Sequence, residues 1–416
     1  MHTLLFCDPG HFHAALTLRV TNPRVAPAIH VYAPEGPDMD AFLALIDSFN
    51  SRADDPTRWE VNLHVGPDPM ARLIDERRGE IAVLAGRNNG KLAAIRALHD
   101  AGLHALVDKP WITSSAALPD LEAVTEGFPL ALDIMTNRHD TIAQLRRQVI
   151  TTESVFGTFD IAGDEPAFEI GSIHHLYKVL NGKPLQRPQW YFDSGIQGDG
   201  LVDIQSHMVD QAQWLIDPDD TADYEQDFTI DAATRWPTEV PLDLFAECTG
   251  ADAFPEGLSD PIEDGVLQLS CNGQIDYRLK GVRVRQRAEW GQREPAGSGD
   301  IHSAVVRGTG CGITIRQGPE TGHVNQIHLT GSADLRARVE DALPSWRETL
   351  PGLAYRESDL GLELTVPDSQ RTGHESHFPM VLDWFLDHVE SGRWPADLAK
   401  RIRSRYKLLA HAREQA

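Results

Sequence analysis

The chain has 416 residues, of which 41% are hydrophobic and 24% charged, and its formal net charge is −24. This length exceeds one ordinary domain and predicts two, each with room for a substantial core. The composition is that of a soluble globular protein, and the strong negative charge argues against nucleic acid or an anionic membrane as a partner, because phosphate-rich surfaces are bound by basic faces. The four cysteines are scattered without zinc-type spacing, which predicts free thiols.

The ends of the sequence and its apolar runs bear on location. No apolar run is long enough to span a bilayer. The first residues, MHTLLFCDPGH, enter a strand pattern without the basic region and cleavage site of a signal peptide. We therefore expect a cytoplasmic protein.

Residues 1–135 alternate between short apolar runs and helical patterns. Strands are predicted at Thr3–Cys7, Ile29–Ala33, Ile81–Ala85, His104–Val107 and Leu130–Ile134. Helices are predicted at His11–Val20, Phe42–Asn50, Met70–Arg77 and Lys91–Ala101. Strict alternation implies right-handed βαβ units in a doubly wound parallel sheet, with a ligand at the carboxyl ends of the strands. The sequence thus predicts an α/β Rossmann domain over residues 1–138.

The pattern changes after about residue 150. Strand-like runs such as GVLQLSC, IDYRLKGVRVRQRAEW and CGITIRQG are separated by turn-forming residues, which is typical of an open, mostly antiparallel sheet. We expect an α+β domain for substrate binding and oligomerisation over residues 139–416. The acidic stretch Asp217–Pro261 is expected to be a long surface excursion. Two helices, Phe378–Ser391 and Pro395–Glu414, are expected to pack back within 378–414.

The first strand–helix turn reads CDPGHFHAAL. Only Gly10 of a GxGxxG fingerprint is kept, since Asp8 and His13 occupy the outer positions. About 25 residues later, Glu35 in VYAPEG is placed to accept hydrogen bonds from an adenosine ribose. No Arg or Lys lies in residues 34–42 to bind a 2′-phosphate, which favours NAD over NADP. The segment alone also fits an ordinary βα turn in a fold that binds no dinucleotide.

Two further segments carry polar residues where apolar ones would be expected. In AGLHALVDKPW a strand ends in Asp108, Lys109 and Pro110, so that Lys109 is either a solvated strand end or a cation directed at substrate oxygens. In GDGLVDIQSHMVDQAQWL, Asp203 and His207 lie one turn apart on a predicted helix. They fit metal ligands, an acid/base pair, or two satisfied polar groups of the fold.

The segments AGRNNGK, AGLHALVDKP and GDGLVDIQSHMVDQAQWL, in this order and spacing, resemble the glucose–fructose oxidoreductase / inositol dehydrogenase / rhizopine catabolism family (Gfo/Idh/MocA). More closely, DPGHFHAAL, VYAPEGPD, SIHHLYKVL and GHESHF are similar to a branch of oxidoreductases with a distinctive C-terminal domain. The resemblance extends over the Rossmann half, the linking helix, the sheet domain and the C-terminal helices.

The resemblance implies roles for particular residues. The catalytic lysine of the family's Glu-Lys-Pro motif corresponds to Lys109, and its Asp and His pair to Asp203 and His207. The peptide before the motif's proline is often cis in the family, so a cis Lys109–Pro110 bond is expected. The implied cofactor is NAD, and the residues expected to bind it are Asp8, Gly10, His11, Phe12, Glu35, Asn88, Asp108, Lys109 and Pro110.

The sequence departs from the family in three places. The glycine fingerprint is degraded, Lys91 replaces a common histidine, and Asp108 replaces the usual glutamate. The first departure bears on how the pyrophosphate would be held. The identity of the cofactor therefore rests on inference from the resemblance.

A secondary alcohol can lose a hydride only if its hydroxyl proton leaves as well. His207 has an ordinary pKa near neutrality and suits the base role, while Lys109 would stabilise the developing alkoxide. Asp203 would orient the imidazole or bind a neighbouring sugar hydroxyl. Whether Lys109 or His207 takes the proton is left open by the sequence.

Other polar residues are weighed as substrate contacts. The expected substrate-binding residues are His174, His175, Tyr177, Lys178 and His302. Because consecutive residues of a strand point to opposite faces, at most one of the two adjacent histidines should face the substrate. Arg138 is either a linker salt-bridge residue, which we favour, or a substrate contact, and Asp210 and Trp214 are assigned to packing.

A metal site is the weaker alternative for the remaining histidines. His374, Glu375 and His377 in GHESHF have HExH rather than HExxH spacing, so the helical zinc geometry fails. A cluster with Asp203 and His207 is conceivable, but a nicotinamide mechanism needs no metal. We predict no metal site.

These observations favour an NAD-dependent oxidoreductase acting on a secondary hydroxyl of a sugar, polyol or glycoside. The first alternative is an NAD-dependent glycoside hydrolase that uses transient C3 oxidation, elimination, hydration and re-reduction with no net redox change. The second is a nicotinamide-sensing or scaffold protein without catalysis. The expected partner is a small carbohydrate, with no nucleic acid and no membrane, and the resemblance implies a homo-oligomer, either a dimer or a tetramer.

Overall fold

Two β-sheets organise the chain. The computed structural model describes residues 1–180, 183–219, 221–295, 298–394 and 396–416. Pro395, where the last helix is predicted to begin, lies outside the described residues. The described residues contain no helix that is long and apolar enough to cross a membrane.

The first sheet has six strands, all parallel, in the order β3-β2-β1-β4-β5-β6. The strands are β1 Leu4–Cys7, β2 Ala28–Ala33, β3 Glu60–Val65, β4 Ile81–Leu84, β5 His104–Val107 and β6 Ala131–Asp133. The helices that connect them are α1 His13–Leu16, α2 Pro37–Ser51, α3 Pro69–Glu76, α4 Lys91–Asp100 and α5 Leu118–Thr125. Strands β1 and β4 are apolar and buried throughout, as strands covered by helices on both faces must be. The predicted doubly wound parallel sheet is confirmed.

Three elements of this half differ from the prediction. Strand β3 was not predicted, because it forms the sheet edge and its largely exposed residues make no apolar run. Helix α5 was also missed. Helix α1 spans four residues instead of ten, because the His11 amide donates to the Ala85 carbonyl and holds the start of the segment as a turn.

The second sheet is mixed and mostly antiparallel, in the order β10-β12-β13-β7-β14-β15-β16-β18-β17, with β11 beside β12. Only β13 and β7 run parallel among these described pairs. The strands are β7 Phe168–Tyr177, β10 Phe228–Pro241, β11 Ile262–Glu263, β12 Val266–Leu279, β13 Val282–Arg293, β14 Ile301–Arg307, β15 Cys311–Gln317, β16 Gln326–Gly331, β17 Ala354–Ser358 and β18 Gly361–Thr365, and a separate hairpin is formed by β8 Val179–Leu180 and β9 Lys183–Pro184. The open, mostly antiparallel sheet predicted for this half is confirmed.

The helices of this half are α6 Thr141–Thr151, α7 Glu153–Phe156, α8 Ser194–Gln197, α9 Gln205–Ile216, α10 Tyr224–Asp227, α11 Leu242–Thr249, α12 Leu335–Thr349, α13 His377–Ser391 and α14 Ala396–Gln415. The predicted surface excursion over Asp217–Pro261 is wrong for much of its length. It contains the long edge strand β10, paired with β12, and helix α11 with its buried Leu244 and Phe245. The acidic composition hid the strand because an edge strand with an exposed face tolerates polar side chains.

Helices α13 and α14 pack back on the first half, as expected. On α14, the Tyr406 ring stacks on Trp111, with ring centroids 5.4 Å apart. The Tyr406 hydroxyl donates to Asp133 at the end of β6 (3.1 Å). Asp383 of α13 pairs with Arg24 of the first half (2.6 Å). The residue at which one domain gives way to the next stays a prediction.

Candidate functional site

A buried ion pair joins the two halves of the molecule at the carboxyl edge of the first sheet. Lys109 directly follows β5, and its Nζ donates to Oδ1 of Asp203. Both side chains are buried. The Lys109–Pro110 peptide is cis, as the resemblance implied. The sequence had placed these two residues separately, and the fold brings them together.

The glycine-rich turn before α9 positions Asp203. A Cβ on Gly200 would lie 2.1 Å from the Asn272 carbonyl carbon, so only glycine permits this approach to β12. Asp199 accepts from the Leu201 amide (3.0 Å) and holds the turn. Asp203 was predicted to lie on the helix, but it lies in the turn before it, because α9 begins at Gln205.

His207 sits in the first turn of α9. Its side chain is only partly exposed, and its Nδ1 is buried with no hydrogen-bond partner. Burial lowers the pKa of His207 well below its ordinary value, and Lys109, His374 and His13 act in the same direction. The imidazole is therefore neutral at physiological pH and can accept a proton.

The end of β5 is tied to the turn after β1. The His13 Nδ1 donates to Asp108 Oδ2 (3.0 Å), and Asp108 Oδ1 accepts from the Lys109 amide (2.9 Å). Burial lowers the pKa of His13 to about 3. Burial alone would raise the pKa of Asp108, but the contacts with His13 and His11 hold it well below its usual value. A charged carboxylate thus meets a neutral imidazole.

Lys91 and Asn88 close the floor of the cleft. Lys91 Nζ donates to the Asp108 carbonyl (2.9 Å) and to Asn88 Oδ1, and burial lowers the pKa of this lysine to about 8. The Asn88 amide group donates to the Gln197 carbonyl (2.6 Å). The Asn88 side chain thus connects the β4 loop with α8 and Lys91, and its expected contact with the cofactor stays a prediction.

The second sheet contributes the opposite wall. The His174 Nδ1 contacts Asp300 Oδ2 (3.1 Å), and its ring lies 5.6 Å from that of His302. Lys178 Nζ donates to Asp300 Oδ1. Burial, then His174, lower the pKa of His302 to about 4, and His374 acts in the same direction. The His374 ring also lies 6.0 Å from that of His13, which is hydrogen-bonded to Asp108 next to Lys109.

The adjacent histidines of β7 point to opposite faces, as predicted. His174 is in register with Trp290 and lies against that ring, with centroids 5.1 Å apart. His175 is in register with Gly291 and packs closely on it. Tyr177 shares the His175 face and packs on a separate apolar cluster. His174 therefore lies on the Trp290 side and His175 on the Gly291 side, while Asp300 lies close to both imidazoles.

The turn after β1 fits a dinucleotide at several points. A Cβ on Gly86 would lie 2.5 Å from the Asp8 carbonyl oxygen, so the β1 and β4 loops approach each other only through glycine. A Cβ on Gly10 would lie 3.0 Å from Asp38 Oδ2. A larger residue at this position would therefore crowd the Asp38 carboxylate and fill the space at the turn. Glu35, just after β2, is exposed. These residues fit an adenosine ribose and a backbone-lined phosphate turn.

Charge at this turn is more acidic than the fingerprint implies. Arg87 lies between Asp8 Oδ2 (3.3 Å) and Asp38 Oδ2 (3.2 Å) and stacks over Trp190. Burial raises the pKa of Asp8, while Arg87 lowers it in part. Arg87 thus offsets the charge of the two carboxylates at this turn.

The other predicted residues have different surroundings. Phe12 packs on the core beside the His13 ring. Glu375 pairs with Arg19, and the His377 Nε2 contacts the Thr372 hydroxyl (2.7 Å), so the GHESHF side chains do not converge on one point. Arg138 forms the ion pair that we favoured, with Asp210 (2.7 Å).

Several residues of this cleft were not assigned to it from the sequence. They are His13, Lys91, Arg87, Trp190, Asp300 and His374. A histidine inside the apolar run HAAL was a usable signal for His13. Asp300 gave none, because its importance comes from a loop that meets β7 only in the folded sheet.

Comparison with known proteins places the chain. A family profile described as "Putative oxidoreductase C terminal domain" matches residues 145–416. No curated protein matches the chain. A crystal structure of a "putative oxidoreductase" from Parabacteroides merdae ATCC 43184 is 34% identical, and the match covers 100% of this chain and 97% of that one with a TM-score of 0.96.

Two more distant structures share the fold. One is a levoglucosan dehydrogenase in complex with NADH and L-sorbose, 14% identical, covering 99% of this chain and 97% of that one, with a TM-score of 0.60. The other is biliverdin reductase from Synechocystis sp. PCC 6803 in complex with biliverdin and NADP+, 12% identical, covering 100% of this chain and 98% of that one, with a TM-score of 0.59. At this identity the likeness is one of fold.

Proposed function

The chain belongs to the family of the oxidoreductase C-terminal domain, and on that basis we propose that it is an NAD-dependent oxidoreductase acting on a secondary hydroxyl of a sugar, polyol or glycoside. The observation that carries the proposal is the buried Lys109–Asp203 pair beside the neutral His207, at the carboxyl edge of the parallel sheet. The levoglucosan dehydrogenase of the same fold, which binds NADH and L-sorbose, supports this substrate class.

The cofactor site is proposed along the carboxyl edge of β1, β2 and β5. The nicotinamide, when bound, supplies the hydride acceptor. Glu35 would accept hydrogen bonds from the adenosine ribose, and the Gly10 turn would lie along the phosphates with Arg87 offsetting Asp8 and Asp38. Residues 34–42 hold three acids and no Arg or Lys, so a 2′-phosphate would meet only like charge, which favours NAD.

His207 is proposed as the proton acceptor. Its ring is neutral, and its Nδ1 has no hydrogen-bond partner. Lys109 is already hydrogen-bonded to Asp203 as an ammonium donor, so it is suited to stabilise the developing alkoxide. Asp203 holds the Lys109 ammonium in place at the cleft.

The substrate is proposed to lie against His174 and His302. Both imidazoles are on the cleft wall and can exchange hydrogen bonds with hydroxyl groups. The nearby cations are already paired, Lys178 with Asp300 and Lys109 with Asp203. This wall therefore suits an uncharged polyhydroxylated substrate better than an acid or a phosphate ester.

A redox-neutral glycoside hydrolase is the second candidate, and one observation favours it. A dehydrogenase needs one proton acceptor, whereas this cleft holds further imidazoles at His302 and His374 beyond His207. Oxidation at C3 acidifies the C2–H, after which a base removes that proton and an acid protonates the leaving group. Water then adds and the ketone is reduced again, so that the sum is hydrolysis.

The first test is binding. We expect NAD to raise the melting temperature of the purified protein by several degrees at saturating concentration, and NADP to raise it less. Glu35→Ala should weaken NAD binding about 10- to 100-fold, since one hydrogen bond to a charged group contributes about 1.5–3 kcal/mol. Asp40→Ala, an exposed acid on α2, is the matched control and should leave binding unchanged. An absence of any shift with either dinucleotide would contradict the proposal.

The second test separates the two candidate reactions. Neutral sugars, polyols and glycosides are incubated with NAD while NADH absorbance and released sugar are both followed. A dehydrogenase accumulates NADH in proportion to its product. The hydrolase releases sugar with a catalytic amount of NAD and no net NADH.

Assembly and location are part of the proposal. We propose a homo-oligomer that uses the exposed face of the second sheet, where β10 carries exposed residues along most of its length. Cytoplasmic location stays a prediction. The proposed partner is a small carbohydrate.

A further inference from the structure

Two imidazoles and one carboxylate converge where the β1 turn meets the end of β5. His11 Nδ1 and His13 Nδ1 lie 3.1 Å and 3.0 Å from the same oxygen, Asp108 Oδ2. All three ligand atoms lie within 4.8 Å of one another. We propose that this cluster, the HHD cluster, binds a divalent transition-metal ion, with Zn²⁺ as the favoured occupant.

The spacing of the three atoms suits such an ion. Tetrahedral Zn²⁺ with bonds of about 2.0–2.2 Å separates its ligand atoms by roughly 3.3–3.5 Å. The two measured nitrogen–oxygen distances are a few tenths of an ångström shorter. Seating an ion therefore needs a small outward shift of the two rings and no rearrangement of the backbone.

Hydrogen bonding alone leaves the HHD cluster incomplete. His13 donates to Asp108 Oδ2 with good geometry. The His11 Nδ1 lies near the same oxygen but is not aligned with it, so this buried nitrogen has no hydrogen-bond partner. An unsatisfied buried polar atom costs about 1–3 kcal/mol, and a metal ion would use its lone pair.

The surroundings hold the ligands in place. Asp108 Oδ1 accepts from the Lys109 amide, which directs Oδ2 at the two histidines. Such outer hydrogen bonds orient carboxylate ligands in known metal sites. Of the two lysines beside the cluster, Lys109 is paired with Asp203 and Lys91 donates to the Asp108 carbonyl and to Asn88.

The open side of the HHD cluster faces the cleft. The ring of His374 lies 6.0 Å from that of His13, and the buried Nδ1 of His207 is a second nitrogen without a hydrogen-bond partner. Two histidines and one carboxylate leave positions open for a further ligand or for an oxygen of a small molecule. The ion would thus be accessible from the cleft as a Lewis acid.

A second group of potential ligands is weaker. His175, Glu294 and Asp300 also lie within the required distance. However, Asp300 is already bound by Lys178 and His174, so an ion would have to displace a lysine. The HHD cluster has no such competitor.

The test uses the full chain, stripped with a chelator and titrated with Zn²⁺ by calorimetry and with Co²⁺ by visible absorption. We expect one ion per chain and a Co²⁺ spectrum typical of nitrogen and oxygen ligands. His13→Asn and Asp108→Asn should abolish saturable binding, and His11→Asn should weaken it at least tenfold. His30→Asn is the matched control, because His30 Nδ1 lies 3.0 Å from His64 Nε2 in another imidazole pair, and it should keep one ion per chain.

Two results would overturn the inference. One is a wild-type chain without saturable Zn²⁺ or Co²⁺ binding at micromolar concentration, and the other is retention of wild-type affinity in His11→Asn. Circular dichroism shows whether each variant folds. If His13→Asn and Asp108→Asn do not fold, His11→Asn decides the test, because His11 is partly exposed and its substitution disturbs the core least. The NAD thermal shift is measured on the same wild-type sample, so a wild-type chain that binds NAD but neither Zn²⁺ nor Co²⁺ refutes this inference and leaves the proposed function standing.

Discussion

The first turn and the middle of helix α9 differ in how their polar groups are satisfied. In the middle of the helix, the buried Asp210 is held by Arg138 and by Arg405 of α14. Burial would raise the pKa of Asp210, but these guanidinium groups lower it below its ordinary value. At the N-terminal end, His207 has a buried ring nitrogen without a partner, and the Lys109–Asp203 pair borders the cleft.

The difference teaches where stability and chemistry reside. A closed network of charge-assisted hydrogen bonds fixes the helix against the first half of the molecule and has no capacity for a ligand. An incomplete network has a cost in free energy that a substrate or ion can relieve on binding. One helix thus carries a closed ion-pair network in its middle and, in its first turn, the histidine that we propose as the proton acceptor.

Removing the Lys109 ammonium from the cleft should have the largest effect of the three changes, and the effect should be on turnover. Lys109→Ala removes the charge proposed to stabilise the alkoxide, and kcat should fall by about 10³-fold, as for other single groups that stabilise an oxyanion. The fall in kcat is measured by steady-state kinetics with a substrate identified in the screen of sugars, polyols and glycosides. Lys280→Ala removes a lysine paired with Asp217 at the far turn of the second sheet and should keep full activity. Full turnover in Lys109→Ala would remove this residue from the mechanism.

Breaking the closed ion-pair network around Asp210 should reduce the free energy of unfolding. Arg405 is fully buried and binds both Asp133 and Asp210, so Arg405→Ala leaves two buried carboxylates short of a cation. We expect the free energy of unfolding to drop by about 3–5 kcal/mol, measured by urea denaturation. Arg403→Ala, on the same helix and paired with an exposed Glu126, should cost under about 1 kcal/mol. Equal losses in the two variants would contradict the contrast.

The pH dependence of stability sharpens the comparison at the cleft wall. Burial, then His174, lower the pKa of His302 to about 4, from an ordinary value of 6.5. Between these values the unfolded chain binds a proton that the folded chain does not, so stability falls as pH drops from 6.5 towards 4. His302→Gln should flatten this fall by about 1–3 kcal/mol in urea denaturation at pH 7 and pH 4. Identical pH profiles would show that the imidazole is not held neutral.

Much of the fold could be predicted because its signals are local. Strands such as β1 and β4 are short apolar runs, and helix α4 ends before Gly102 with its positive φ. The edge strands β3 and β10 were missed because partial exposure removes the apolar pattern on which strand prediction depends. Pairing with a neighbour is a tertiary property that no window of sequence contains.

The sequence by itself determined the two sheets, the DKP strand end and the acid and histidine before and within α9, since each is carried by adjacent residues. Only the tertiary structure decided that Lys109 pairs with Asp203 across 94 positions of chain. It also decided that His11 and His13 meet Asp108, and that His174 contacts Asp300. The physical reason is that ion pairs and strand register depend on contacts between distant segments, which form only when the two halves fold against each other.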